Sequence, residues 1–148
     1  MRFKILLVVV LVSITKLSIA QTSDPIWMSV YKYCVRDNPE IKEYNPTCEW
    51  KDASALVSLQ YNGANPSKII IYSIGGHTYI IGERKRVFSD ERNDMAWGVY
   101  SAKDENGLNC NLEFGMVGNQ ANYYTHAATI IITYSDVIFC YKLRFEKK

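Results

Sequence analysis

The stretch that decides the fold is residues 128–145, which reads ATIIITYSDVIFCYKLRF. A two-residue turn at Ser135-Asp136 would fold it into a hairpin. The pairs that then face each other are Tyr134 with Val137, Ile132 with Phe139, Ile130 with Tyr141, and Ala128 with Leu143. Successive side chains of a strand point to opposite faces, so these eight apolar residues share one side. The other side is mixed and partly polar, which predicts an antiparallel sheet packed on a core on one side only.

The rest of the chain continues this pattern. Runs rich in β-branched and aromatic residues are separated by turn signals such as Asn62-Gly63, Gly75-Gly76 and Asn106-Gly107. We count about eight strands, joined in sequence, and no amphipathic helix. This predicts an all-β antiparallel meander that is either closed into a barrel or split into a sandwich.

Two internal hairpins carry predicted registers. A tight turn at Gly75-Gly76 places Tyr72 opposite Tyr79. A loop of two or four residues around Asp104–Gly107 places two sets of side chains on one face. The first set is Met95, Trp97, Val99 and Ser101, and the second is Cys110, Leu112, Phe114 and Met116.

The amino terminus has the pattern of a secretory signal peptide. Arg2 and Lys4 precede eight residues without a polar side chain, and a small residue, Ala20, ends the segment. The apolar run is too short to cross a bilayer, which needs roughly 20 such residues. We therefore expect a signal peptide over 1–20, a single all-β domain over 21–148, secretion to the extracellular space, and no membrane span.

Removal of this segment changes the charge balance. Three of the 17 basic side chains lie in it, which leaves 14 against 15 acidic ones. A nearly neutral domain lacks the basic field of a nucleic-acid binder, so we expect no nucleic-acid partner.

The four cysteines, Cys34, Cys48, Cys110 and Cys140, all lie in the expected mature chain. An even number of cysteines in an exported domain predicts two disulfides. We favour Cys34–Cys48 with Cys110–Cys140, because the second bond would tie the last hairpin to the one before it. The nested pairing, Cys34–Cys140 with Cys48–Cys110, stays open.

Few residues suggest chemistry. There is no C-x-x-C or G-x-S-x-G motif, and the cysteines are explained by disulfides, so we expect no metal, no cofactor and no catalytic residue. The alternative enzyme is a secreted hydrolase that uses His77 or His126 as an acid or base.

The aromatic residues point instead to recognition. Eleven tyrosines and three tryptophans suit both cores and binding surfaces. We predict binding residues at Trp27, Tyr31 and Tyr33, which alternate along the first strand, and at Tyr123 and Tyr124, which cannot both point inward from an extended segment. The predicted function is a secreted binding protein whose partner is an extracellular protein or surface ligand. The alternative is a barrel that carries a small apolar ligand inside.

Overall fold

The computed structural model describes residues 24–37, 48–63, 65–73, 76–92 and 94–147. The predicted signal peptide and residues 21–23 and 38–47 lie outside these ranges. The strands are β1 (Ile26–Asp37), β2 (Lys51–Asn62), β3 (Asn65–Tyr72), β4 (His77–Asp90), β5 (Met95–Asp104), β6 (Asn109–Val117), β7 (Ala128–Thr133) and β8 (Val137–Arg144). A short 3₁₀-helix, Gln120–Asn122, lies between β6 and β7.

The eight strands form a closed barrel in which every strand pairs antiparallel with its neighbours in sequence, and β8 pairs with β1. The predicted all-β meander is confirmed, and of the two predicted architectures the barrel is the correct one. Because the strands run up and down in turn, β1, β3, β5 and β7 all terminate at the same end of the barrel, which we call the lower end. The strands β2, β4, β6 and β8 terminate at the upper end.

The carboxyl-terminal hairpin has the predicted register. Ala128 pairs with Leu143, Ile130 with Tyr141, and Ile132 with Phe139. The Tyr134 N–H donates to the Val137 carbonyl at 2.9 Å, which closes the two-residue turn. Ile130, Ile132 and Leu143 are fully buried inside the barrel.

The β5–β6 register differs from the prediction by one residue. Trp97 pairs with Gly115, and Tyr100 with Leu112. The turn is closed by a 3.1 Å bond from the Asp104 N–H to the Leu108 carbonyl, and Gly107 lies at φ 80°. A three-residue loop of this kind needs a residue in the left-handed region. Its odd length exchanges the two faces of β5, so Tyr100 and Ala102 face the interior and Trp97 lies outside over Gly115.

The β3–β4 register also differs from the prediction. Ile69 pairs with Tyr79, and Ile71 with His77, because the connection between the strands is longer than a two-residue turn. Tyr79 is therefore buried in the core, whereas Tyr72 is 47% exposed on the outer surface.

Only one of the two predicted disulfides is present. Cys34 is bonded to Cys48, whereas Cys110 and Cys140 are free, buried thiols. Cys110 packs in the interior core, but Cys140 packs in a separate cluster outside the wall. A bond between them would have to pass through the sheet, so the prediction of two disulfides was wrong for this pair.

Candidate functional site

The first strand changes phase near Tyr31, and this decides which of its aromatic residues are accessible. Val30 pairs with Leu143 on β8 and Lys32 pairs with Lys142, the next residue along β8. Tyr31 is therefore an extra residue of β1 with no counterpart on β8. Such a bulge places two successive side chains on the same face. Trp27 and Tyr31 consequently lie outside, whereas Tyr33 packs against the interior core. The predicted alternation of all three residues on one face was wrong because of this bulge.

One feature of the outer wall is a stacked aromatic pair that adjoins β1. The rings of Trp27 and Tyr72 lie 5.5 Å apart with an interplanar angle of 27°. Trp27 is 49% exposed and Leu56, the direct partner of Tyr72 on β2, is 50% exposed. Ser29 separates Leu56 from Arg144 in the same cross-strand row. Four strands thus contribute to a single row that spans roughly 14 Å at a strand spacing near 4.8 Å.

Arg144 supplies the charge at one end of this row. Its guanidinium lies 5.4 Å from the centre of the Tyr31 ring. Ser29, Leu56, Tyr72 and Arg144 line an open groove of about 420 Å³. We call Trp27, Tyr31, Leu56, Tyr72 and Arg144 the aromatic face. It combines apolar rings with one cation, a composition that is typical of the centres of protein interfaces.

A histidine fixes the position of Tyr31. A hydrogen bond of 2.9 Å joins the Tyr31 hydroxyl to His126 Nδ1, and His126 Nε2 lies 3.3 Å from Thr129 Oγ1. Burial raises the pKa of Tyr31, and the charges of Arg144 and Lys32 oppose this rise. Burial lowers the pKa of His126, and Lys142 lowers it further. A neutral imidazole protonated on Nε2 accepts from Tyr31 and donates to Thr129, so it satisfies both contacts.

The other two predicted binding residues lie at the upper end of the barrel, beside the aromatic face. Tyr123 packs on the core, with its ring 5.2 Å from that of Phe145. Tyr124 is 48% exposed, and Lys147 Nζ lies 5.9 Å from its ring. The segment forms a 3₁₀ turn rather than an extended strand. Tyr123, Tyr124 and Glu146 line a second open groove. Glu146 also lines the groove of the aromatic face, so the two surfaces adjoin.

The structure thus brings Trp27, Tyr31 and Tyr124 to one region of the surface and turns Tyr33 and Tyr123 toward the core. Sequence reasoning missed Leu56, Tyr72 and Arg144. By alternation, Leu56 falls on the same side of β2 as the polar residues Ser58 and Gln60, and this pattern was a usable signal of its outward position. Tyr72 was hidden by the wrong β3–β4 register.

The two histidines lie at opposite ends of the barrel. His77 follows the β3–β4 connection at the lower end, where its Nδ1 lies 3.2 Å from Glu105 Oε1. His126 belongs to the β6–β7 connection at the upper end and is held by Tyr31. Among the described residues, no group of three or more histidine, cysteine and acidic side chains could hold a metal ion.

The interior is filled by side chains. Nine large side chains are almost completely buried there; they are Tyr79, Met28, Leu59, Ile69, Ile71, Leu112, Ile130, Ile132 and Leu143. An eight-stranded barrel is just wide enough for its side chains to fill it. At the lower mouth, the Tyr134 hydroxyl donates to Asp104 Oδ2 at 3.0 Å. Burial raises the pKa of Tyr79 and of Tyr134, which keeps both hydroxyls protonated.

Comparisons with known proteins add no relative. No protein-family model matches the chain, and neither the curated proteins nor the solved structures give a significant match. The part of the chain that the structure describes contains no helix with the length and apolar character needed to span a membrane. The fold and the outer surface are therefore the basis for a functional proposal.

Proposed function

We propose that this protein is a secreted recognition protein without catalytic activity, and that it binds an extracellular protein partner through the aromatic face. The observation that supports this best is the stacked pair Trp27 and Tyr72, which stays about half exposed instead of packing into the core. Exposed clusters of large apolar side chains on a soluble domain are typical of interaction sites.

The composition of the aromatic face suggests what the partner presents. Trp27, Leu56 and Tyr72 offer apolar contact, and Arg144 offers a guanidinium at the end of the row that contains Leu56 and Tyr72. An apolar side chain flanked by a carboxylate would complement both ends. A protein interface normally buries about 800 Å² on each side, so the partner would also extend over the neighbouring surface of Tyr124.

Two further observations favour recognition over the alternatives. The interior is occupied by large side chains, which supports binding on the outside rather than carriage of a ligand inside. The Cys34–Cys48 disulfide is consistent with an oxidising compartment, as expected for an extracellular protein.

The test compares matched variants in affinity capture. The oxidised protein, a Tyr72→Ser variant and a Phe88→Ser control are immobilised and exposed to extracellular fluid of the source organism, and bound proteins are identified by mass spectrometry. Phe88 is a suitable control because it is also an exposed, stacked aromatic, 6.2 Å from Trp97 on a different part of the wall.

We expect one partner to be captured by the parent and the control and lost by Tyr72→Ser. In a titration with the purified partner, Tyr72→Ser should weaken binding by roughly 30-fold, the effect of removing a central interface residue. Arg144→Gln should reduce the dependence of the association rate on salt. A partner that binds Tyr72→Ser as tightly as the parent, or that only Phe88→Ser loses, would place the interface elsewhere.

A further inference from the structure

Three of the four cysteines lie together on the outside of the barrel. Cys34 on β1 is bonded to Cys48, with 6.0 Å between their Cα atoms. Cys140 on β8 is the direct cross-strand partner of Cys34. All three belong to the same cluster, in which Trp50 and Ile131 also pack. A free thiol therefore lies beside an existing disulfide.

The register makes an alternative bond between Cys34 and Cys140 feasible. Residues directly opposite each other in an antiparallel pair have Cα atoms about 4.5–5.5 Å apart. Disulfides usually span Cα separations of about 4.4–6.8 Å, so neither strand needs to move. Cys110 cannot take part, because it packs inside the barrel, on the other face of the wall.

We propose that Cys34, Cys48 and Cys140 form a thiol–disulfide exchange centre, in which the disulfide moves between Cys34–Cys48 and Cys34–Cys140 and thereby releases Cys48 as a thiol open to modification. The Cys140 thiol loses its proton to solvent, and its thiolate attacks the sulfur of Cys34. The new Cys34–Cys140 bond forms as the Cys34–Cys48 bond breaks, and Cys48 leaves as a thiolate that takes up a proton. One disulfide and one thiol are present before and after, so no oxidant or reductant is needed.

The exchange changes which thiol a reagent can reach. Cys140 is only 5% exposed, whereas Cys48 is half-buried and lies at the edge of the cluster. The protein would thus change from a form with two buried thiols to a form with one reachable thiol. Burial raises the pKa of Cys140, the charge of Glu113 adds to this rise and the charge of Arg36 opposes it, so the exchange should become faster as the pH rises.

The centre lies beside the aromatic face but does not depend on its function. Trp50, two residues after Cys48, lies 4.3 Å from Lys142 Nζ, and the charge of Lys142 acts on His126, which holds Tyr31. Movement of the disulfide would release Cys48 on this side of the wall. The proposal rests only on the three cysteines and would stand if the aromatic face bound nothing.

The experiment maps disulfides by peptide mass spectrometry in a Cys110→Ser background. This background is needed because no lysine or arginine separates Cys110 from Cys140, so trypsin leaves both in one peptide, residues 104–142. The oxidised protein is incubated in mildly alkaline buffer, alkylated with N-ethylmaleimide while folded, and digested with trypsin at near-neutral pH with N-ethylmaleimide still present. The Cys34 peptide is residues 33–36, and the Cys48 peptide is residues 43–51.

We expect two crosslinked species, in which the 33–36 peptide is bound either to 43–51 or to 104–142, and alkylated Cys48 should accompany the second. Cys140→Ser should abolish the second species and the alkylation of Cys48. Cys48→Ser, oxidised in the folded state, should form the Cys34–Cys140 bond, with circular dichroism as the check on folding. A folded Cys48→Ser variant that keeps both thiols free, together with a parent that shows only the first species, would overturn the proposal.

Discussion

Three successive isoleucines on β7 allow a direct test of the barrel wall. Ile132 is fully buried inside the barrel, whereas Ile131, its neighbour, is partly exposed and packs against the outer cysteine cluster. Substitution of Ile132 by alanine removes three carbons, worth about 0.8 kcal/mol each in transfer free energy, and leaves a cavity in a filled interior. The expected loss in the free energy of unfolding is about 3–4 kcal/mol.

Ile131→Ala is the matched control, because the chemistry of the substitution is the same and the strand is the same. It should cost about 1 kcal/mol, since its side chain is only partly buried and its truncation on the outer wall leaves no enclosed cavity. Urea unfolding of the oxidised proteins, followed by tryptophan fluorescence, measures both losses. For a domain of this size, they correspond to falls in Tm of roughly 10–15 °C and about 4 °C. Equal losses, or a larger loss for Ile131→Ala, would show that the faces of β7 are wrongly assigned.

Three more outcomes follow from single contacts. A Cβ on Gly115 would lie 2.6 Å from the Trp97 ring, so Gly115→Ala should cost about 1–3 kcal/mol in parent protein and much less in a Trp97→Ala background; additive losses in a double-mutant cycle would contradict this contact. The folded-state pKa of His126 is lowered from 6.5, so its contribution to stability should be complete above pH 6.5 and be lost as pH falls through the lower folded value. Denaturant midpoints of His126→Gln should therefore fall less than those of the parent between about pH 7 and pH 5, and parallel curves would count against it. Burial raises the pKa of the Cys110 thiol to about 11, so alkylation at pH 8 should label Cys110 only after unfolding, and rapid labelling of the folded protein would place it outside the core.

The parts of the fold that the sequence predicted well are those in which a short turn sets the register. Ser135-Asp136 can close only a tight hairpin, and the apolar alternation on both sides then assigns every facing pair from Ala128 to Leu143. Strand number and the meander followed from the same alternation, because each strand buries one face only. The choice of a barrel depends on the pairing of β8 with β1, which no local pattern encodes.

The errors arose where the number of residues in a connection, odd or even, decides which face of the next strand is buried. The odd loop that ends at Gly107 reversed the faces of β5, and the longer β3–β4 connection placed Tyr72 and Tyr79, predicted to face each other, on opposite faces of the wall. A shift of one residue in the register moves every side chain of a strand to the other face, so an error of one residue exchanges all its buried and exposed residues. The bulge near Tyr31 had the same effect on Tyr33, and nothing in the local sequence marks it.

The cysteine pairing shows a different kind of error. The sequence pattern already placed Cys110 on an apolar face and Cys140 on the mixed face of its hairpin. A bond between these residues was nevertheless predicted from the closeness of their strands. In the barrel, closeness along the wall is not enough, because only side chains on the same face can meet.

The position of the last described residues affects how this protein can be handled. The Phe145 N–H donates to the Tyr123 carbonyl at 2.8 Å, and the next residue, Glu146, borders the groove that contains Tyr72. A purification tag or fluorophore attached directly after Lys147 would lie beside this groove and shield it from any ligand. A tag that must leave this groove free is better placed in another connection, away from Glu146 and Tyr72.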